Sequence, residues 1–184
     1  ARRGSIVDTR GETLALSATA YIVSVNPQKV TDDQAFAGAV CDILGLERAQ
    51  LLKKLERKGY ASVLLKRQVP REAVDALRAL RARDTGMAKL LRGLQFSEDT
   101  RRVYIKGAFL AQALGLTNVD SIGQSGLEQQ YETVLAGVDG SLLTEVDRKS
   151  RTLPDGKTAY TPPQAGSTLQ LTIDASIQSF AERA

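Results

Sequence analysis

The amino-acid sequence predicts an α+β fold, in which strand-forming and helix-forming stretches are segregated along the chain instead of alternating. Three observations carry that reading. Short alternating apolar runs occupy residues 5–25, apolar residues recur at helical spacing from Phe36 to Leu80, and short strand-like runs return from Leu94 onward. With 184 residues, 42% hydrophobic and 25% charged, the chain has the make-up of a folded domain with a core of ordinary size, neither disordered nor membrane-embedded.

Taken in order, Ser5 to Ser17 reads as strand, turn, strand. Asp8 can hydrogen-bond the backbone ahead of it, and Gly11 can adopt positive φ without steric cost. Tyr21-Ile22-Val23-Ser24-Val25 is expected as a third strand, ended by Asn26-Pro27. Thr31 or Asp32 then caps a helix with Phe36, Val40, Ile43 and Leu44 on one face and Gly45 as its stop. Leu51, Leu52 and Leu55 continue in a second helix expected to run to Gly59, with Lys53, Lys54, Arg57 and Lys58 on its other face. Cys41 fits a small core position of the first helix.

Ser62 to Lys66 is a short strand, and Pro70 suits the first turn of a third helix bearing Val74, Leu77 and Leu80. Arg83-Asp84-Thr85-Gly86 interrupts that pattern, as a kink or as a break between two helices. Leu94 to Phe96 and Arg102 to Ile105 read as two strands around a polar turn at Glu98-Asp99. Short helices are expected over 108–114 and 125–136, then a hairpin over 140–160 with its turn at Pro154-Asp155-Gly156. Thr161-Pro162-Pro163 is an extended linker. Thr168 to Ile173 alternates as a strand, and Asp174 is placed to cap a last helix.

The chemistry that is missing is informative. With no histidine there is no Ser-His-Asp triad, no imidazole base and no HExxH zinc site, and a single cysteine excludes intramolecular disulfides and cysteine-rich metal sites. The sequence holds no GxGxxG, no GxxxxGK[ST] and no SxxK, and Lys157-Thr158-Ala159 falls short of a KTG strand. The acidic pairs Asp32-Asp33 and Glu98-Asp99 read as cap and turn residues, not as a general acid and base. No catalytic centre, metal or cofactor is expected. No apolar run is long enough to span a bilayer, so any membrane anchor is expected to lie outside this chain.

Charge is uneven. Residues 1–92 carry 17 Lys and Arg against 10 Asp and Glu, and residues 93–184 carry 8 against 11. A basic half suits either a solvated helical surface or an anionic partner. It lacks a helix-turn-helix, an RNA-binding strand motif and aromatic-basic interleaving, so nucleic acid is not expected.

Four segments in order resemble a known family. Arg3-Gly4-Ser5-Ile6-Val7-Asp8-Thr9-Arg10-Gly11 with Leu14-Ala15 is similar to the RGxIxDRxGxxLA opening of class B penicillin-binding proteins. Arg102-Val103-Tyr104-Ile105-Lys106-Gly107, with Ala111 and Leu114-Gly115, resembles their RxYPxGxxAxxxLG segment. Gly126-Leu127-Glu128, Tyr131, Leu135-Ala136-Gly137 and Gly140 resemble GLExxYxxxLxGxxG. Gly166, Leu169, Leu171 to Asp174 and Ile177-Gln178 resemble the start of their transpeptidase domain. Ile105 stands where the family has proline and Thr9 where it has arginine.

The resemblance implies a non-catalytic N-terminal region: an elongated pedestal from residues 1–26 and 93–166, an inserted helical head from 27–92, and the first part of a transpeptidase domain from 167 to 184. It implies a scaffold that lifts a D,D-transpeptidase off the outer face of the bacterial cytoplasmic membrane. Implied partners are a SEDS-type glycosyltransferase, other divisome or elongasome proteins, and a second copy of the chain. An N-terminal domain of a β-lactam sensor or resistance protein stands as the alternative. Within the motifs, Arg3 or Arg102 is expected to pair with Glu128, since a planar guanidinium holds a carboxylate well. Gly4, Gly107, Gly137 and Gly140 read as turn or close-packing positions, and Tyr104 and Tyr131 as buried rings with bonded hydroxyls. Lys53, Lys54 and Arg57 are the candidate partner contacts.

Overall fold

The computed structural model describes residues 1–107, 109–144 and 158–181. The architecture is α+β, and the chain divides into two compact units: residues 1–17 with 102–184, and residues 18–101. Two long strands, β2 (Thr13–Val25) and β4 (Leu94–Tyr104), carry the chain across those boundaries. The boundaries expected at 26/27 and 92/93 fall just after β2 and just before β4.

In the first unit, β1 (Ile6–Val7) pairs antiparallel with the start of β2, Ile6 opposite Ala15. On its other side β1 runs parallel to β7 (Leu169–Gln170), Ile6 opposite Leu169. Short helices α5 (Ala111–Leu114), α6 (Gly126–Gln130) and α7 (Glu132–Leu135) follow, and α8 (Ala175–Ala181) closes the described chain. Ile6, Leu14, Ala15, Leu110, Leu114, Leu135 and Ala175 form the core of this unit. Two strands, β5 (Ser141–Thr144) and β6 (Thr158–Thr161), pair antiparallel with Leu142 opposite Tyr160. The hairpin turn expected at Pro154-Asp155-Gly156 lies outside the described residues.

In the second unit, the later part of β2 pairs antiparallel with β3 (Val63–Val69), from Val25 opposite Val63 to Tyr21 opposite Val69. Helices α1 (Asp33–Leu44), α2 (Arg48–Leu55), α3 (Arg71–Ala82) and α4 (Thr85–Leu90) pack with this ribbon. The core is built on Phe36, Val40, Leu44, Leu51, Leu55, Val74, Leu77 and Leu91, with Cys41 buried among them. Burial pushes the Cys41 thiol pKa above its ordinary value. The caps on α1 are those the sequence names: the Asp32 side chain accepts from Ala35 N at 2.9 Å, and Gly45 leaves the helix with φ +59°.

Several expectations are corrected. Residues 13–25 form one strand and not two, because Ala18-Thr19-Ala20 contains no residue that breaks a strand. Residues 94–104 are likewise continuous: β4 pairs with β2, and the polar Glu98-Asp99 lies within the strand. Helix α2 stops at Leu55, the last residue it buries, and does not reach Gly59. Pro70 caps α3 from just outside its first turn. The interruption at Arg83-Asp84 separates two helices, and the Asp84 side chain caps the second through Met87 N at 2.8 Å. The expected helix over 125–136 is broken at Tyr131 into α6 and α7. Of the strand expected over 168–173, only Leu169–Gln170 is paired as one.

Candidate functional site: a buried arginine–glutamate–arginine node

Glu128 lies in α6 with its side chain fully buried, and both of its carboxylate oxygens are taken by arginine. Arg3 Nε donates to Oε2 at 2.6 Å, and Arg102 Nε donates to Oε1 at 2.7 Å. The two guanidiniums are themselves 2% and 3% exposed, so the triad is dry. Burying such charges is costly unless their remaining groups are also bonded, and here several are tied to backbone, while Arg102 Nη2 is buried without a hydrogen-bond partner. Arg3 Nη2 donates to the Glu128 carbonyl at 2.7 Å and Nη1 to the Ser121 carbonyl at 3.0 Å, while Arg102 Nη1 donates to the Gly4 carbonyl at 2.7 Å. Arg3 Nη1 also meets Glu132 Oε2 at 2.7 Å, which balances the two positive charges with two negative ones.

The sequence reading asks for one arginine on Glu128, and the structure places both there. It does not single out Glu132, although Glu128 and Glu132 are four residues apart and face alike on a helical path. Glu132 also accepts from Gly123 N at 2.9 Å, which fastens the 116–124 loop to α7. Nothing local marks Ser121, which contributes only its carbonyl.

Around the node three stretches of chain approach closely. Gly4 N donates to the Leu135 carbonyl at 2.8 Å, Gly166 N to the Arg2 carbonyl at 2.9 Å, and Ser167 N to the Val134 carbonyl at 2.9 Å. A Cβ on Gly4 would lie 1.9 Å from the Ser167 carbonyl oxygen, and one on Gly137 would lie 2.6 Å from the Gln164 carbonyl oxygen. These are backbone contacts that no side chain can share. Gly126 opens α6 with φ +58° against the backbone of Ala113 and Gly115, Gly140 sits against Thr161 and Pro163, and Gly107 is a turn residue in open space.

Asp8 is buried at the opening turn. Its Oδ1 accepts from Arg10 N at 2.8 Å and Glu12 N at 2.7 Å, and its Oδ2 from Ala175 N at 3.3 Å. Burial pushes its pKa upward, but these three backbone amides and the Lys106 charge outweigh it, so the carboxyl is held below its ordinary 3.8. Gly11 closes the same turn at φ +85°.

Tyr104 packs on the core of this unit with its hydroxyl buried. That hydroxyl has no hydrogen-bond partner among the described residues, contrary to the expectation of a bonded one, and burial together with the nearby Glu128 charge raises its pKa. Tyr131 departs from expectation: 37% exposed, it sits at the break between α6 and α7, where its carbonyl serves Val134 and Leu135. Of the basic residues on and just beyond α2, Lys53 and Arg57 are exposed, whereas Lys54 Nζ donates to the Leu65 carbonyl at 2.9 Å.

The node can hold chain segments together, but its buried carboxylate, saturated by two guanidiniums, has no means of taking a proton from a substrate. Among the described residues, no three His, Cys, Asp or Glu are grouped to hold a metal ion, and no helix is long and apolar enough to cross a membrane.

Residues 1–171 match the family model described as the penicillin-binding protein dimerisation domain. Stage V sporulation protein D of Bacillus subtilis is 30% identical over 183 residues, covering 98% of this chain and 27% of its own length. The peptidoglycan D,D-transpeptidase FtsI of Escherichia coli is 29% identical over 187 residues, covering 98% and 30%. The penicillin-binding protein PBP2 of Helicobacter pylori, solved in complex with MreC, superposes with a TM-score of 0.68 over 98% of this chain and 36% of that one. At 18% identity that last likeness is one of fold. The chain thus spans less than a third of the length of the two curated relatives.

Proposed function

The chain belongs to the penicillin-binding protein dimerisation-domain family of class B penicillin-binding proteins, and from that membership we propose that it is the non-catalytic scaffold on which a serine D,D-transpeptidase is held above the outer face of the bacterial cytoplasmic membrane. The observation that carries this reading is the Arg3–Glu128–Arg102 node. It spends its three charged side chains on each other and on backbone carbonyls of Gly4, Ser121 and Glu128, which is the chemistry of a fastening and not of a reaction. In this reading residues 1–26 and 93–166 are the pedestal, residues 27–92 its head, and residues from 167 onward lead into the transpeptidase domain.

The reading extends to partners. The Helicobacter relative was solved with MreC, and the family description is of a dimerisation domain. A scaffold of this kind meets cell-wall synthesis proteins, with a SEDS-type glycosyltransferase among them, or a second copy of itself. Exposed cations at Lys53 and Arg57 supply the head with a basic face for such contacts.

Fluorescent-penicillin labelling of the full-length parent, with this 184-residue chain as control, tests the reading. A labelled parent and an unlabelled chain are the expected pair. A folded parent that stays unlabelled overturns the transpeptidase assignment and favours a degenerate relative.

A further inference from the structure

An aspartate that only shapes a turn needs one oxygen. Asp8 Oδ1 does that work alone, taking the amides of Arg10 and Glu12. Its second oxygen turns away from the solvent, leaving the residue 1% exposed, and accepts from Ala175 N, 167 positions along the chain.

That amide belongs to the first residue of α8, whose opening N–H groups can be accounted for completely. Asp174 Oδ1 accepts from Ser176 N at 2.8 Å and Ile177 N at 3.3 Å, and the Asp174 carbonyl accepts from Gln178 N at 3.0 Å. Ala175 N is the one amide left, and Asp8 takes it. The cap of α8 is therefore shared between a local residue and the opening turn of the chain.

Other contacts run along the same line. Thr9 N donates to the Ile173 carbonyl at 3.0 Å, Leu171 N to the Val7 carbonyl at 2.9 Å, and Gln170 Nε2 to the Thr9 carbonyl at 3.1 Å. Arg10 Nη2 meets Asp174 Oδ2 at 2.7 Å. Residues 7–10 thus hold residues 170–175 from strand to helix.

We propose that the Asp8 turn is a latch that sets where α8 starts and which way it points, making Asp8 a positioning residue for whatever follows α8. This rests on the reading above, in which α8 leads into the transpeptidase domain. The opening motif then acts at a distance. Its glycine and aspartate fold a turn, and the turn's spare oxygen orients the exit of the chain.

Two variants cut the same bond from opposite ends. Asp8→Asn removes the charge on the acceptor. Ala175→Pro removes the donor N–H at the first helical position, where proline is compatible with a helix, and leaves the turn's own bonds intact. Hydrogen exchange of the 184-residue chain is expected to show residues 171–181 exchanging about tenfold faster in both variants, with residues 18–101 unchanged. In the full-length protein, the rate of penicillin acylation well below the melting midpoint is expected to fall several-fold in both variants. A merely stabilising bond would leave that rate unmoved.

Wild-type protection over 171–181 in either variant overturns the latch, as does an unaltered acylation rate. If Asp8→Asn does not fold, Ala175→Pro alone decides. If the wild-type parent is never acylated, the transpeptidase reading fails while the exchange result still decides the latch.

Discussion

Taking the charge off Glu128 would leave buried Arg102 without a carboxylate and Arg3 with Glu132 alone. Breaking one partner out of a buried ion pair costs about 3 kcal/mol or more, because the remaining charges stay buried and uncompensated. For a chain of this size that is a fall of roughly 6–12 °C in melting midpoint, the outcome expected for Glu128→Gln by circular dichroism. A shift within about 2 °C would mean that the triad holds nothing together. Asp8 calls for a different measurement, since its carboxyl is held below its ordinary 3.8 in the folded chain. A depressed folded pKa contributes stability that is fully present above the unfolded value and is lost as pH falls through the folded one. The gap in melting midpoint between wild type and Asp8→Asn should therefore be widest near neutrality and should close below pH 3.8. A gap independent of pH would show that the turn does not depend on the charge.

At the scale of elements, close backbone approach matters more than propensity in the first unit. At Gly4 an added methyl would meet the Ser167 carbonyl oxygen at 1.9 Å, and that neighbour is backbone whose own N–H is bonded to the Val134 carbonyl. Gly4→Ala is expected to cost about 3 kcal/mol, the upper end of overpacking penalties, whereas at Gly11, with no atom within 4 Å, alanine pays only about 1 kcal/mol for its φ of +85°. Denaturant melts of the two variants side by side check the ranking, and equal losses would refute the packing argument. Helices α1 and α4 are governed locally instead. Asp32, Gly45 and Asp84 begin or end them with bonds that reach three or four residues. That is why α1 could be delimited from its caps, while the lengths of β2 and β4 could not: strand continuity depends on the partner strand, and no Gly or Pro interrupts either run.

On the scale of the whole molecule, each unit has a core of its own, one centred on Phe36 and Leu55, the other on Ile6 and Leu114. The basic excess lies in residues 1–92, with 17 Lys and Arg against 10 Asp and Glu. Not all of that charge is available to a partner. Lys54 is spent on the Leu65 carbonyl, Lys58 on Asp33 at 2.7 Å, and Lys66 on the Leu44 carbonyl at the end of α1. A partner test therefore reverses Lys53 and Arg57 and leaves Lys54 alone. Reversing both is expected to weaken capture of an extracytoplasmic cell-wall scaffold protein about tenfold, with an unchanged melting midpoint. Unaltered capture would remove this face from the interface.

The sequence alone determined the α+β class, the caps of α1 and α8, the membership motifs and the identity of Arg3, Arg102 and Glu128 as residues in search of partners. Each of those signals acts within a few positions or resides in residue type. Tertiary structure decided that both arginines share one carboxylate, that Glu132 joins them, that Tyr131 stays at the surface, and that Asp8 reaches Ala175. The bonds of the two arginines to Glu128 and of Asp8 to Ala175 span 26, 125 and 167 positions. No local pattern specifies a partner at such separations; the packing of strands and short helices around the glycines brings those groups together and shuts out the water that would otherwise satisfy them.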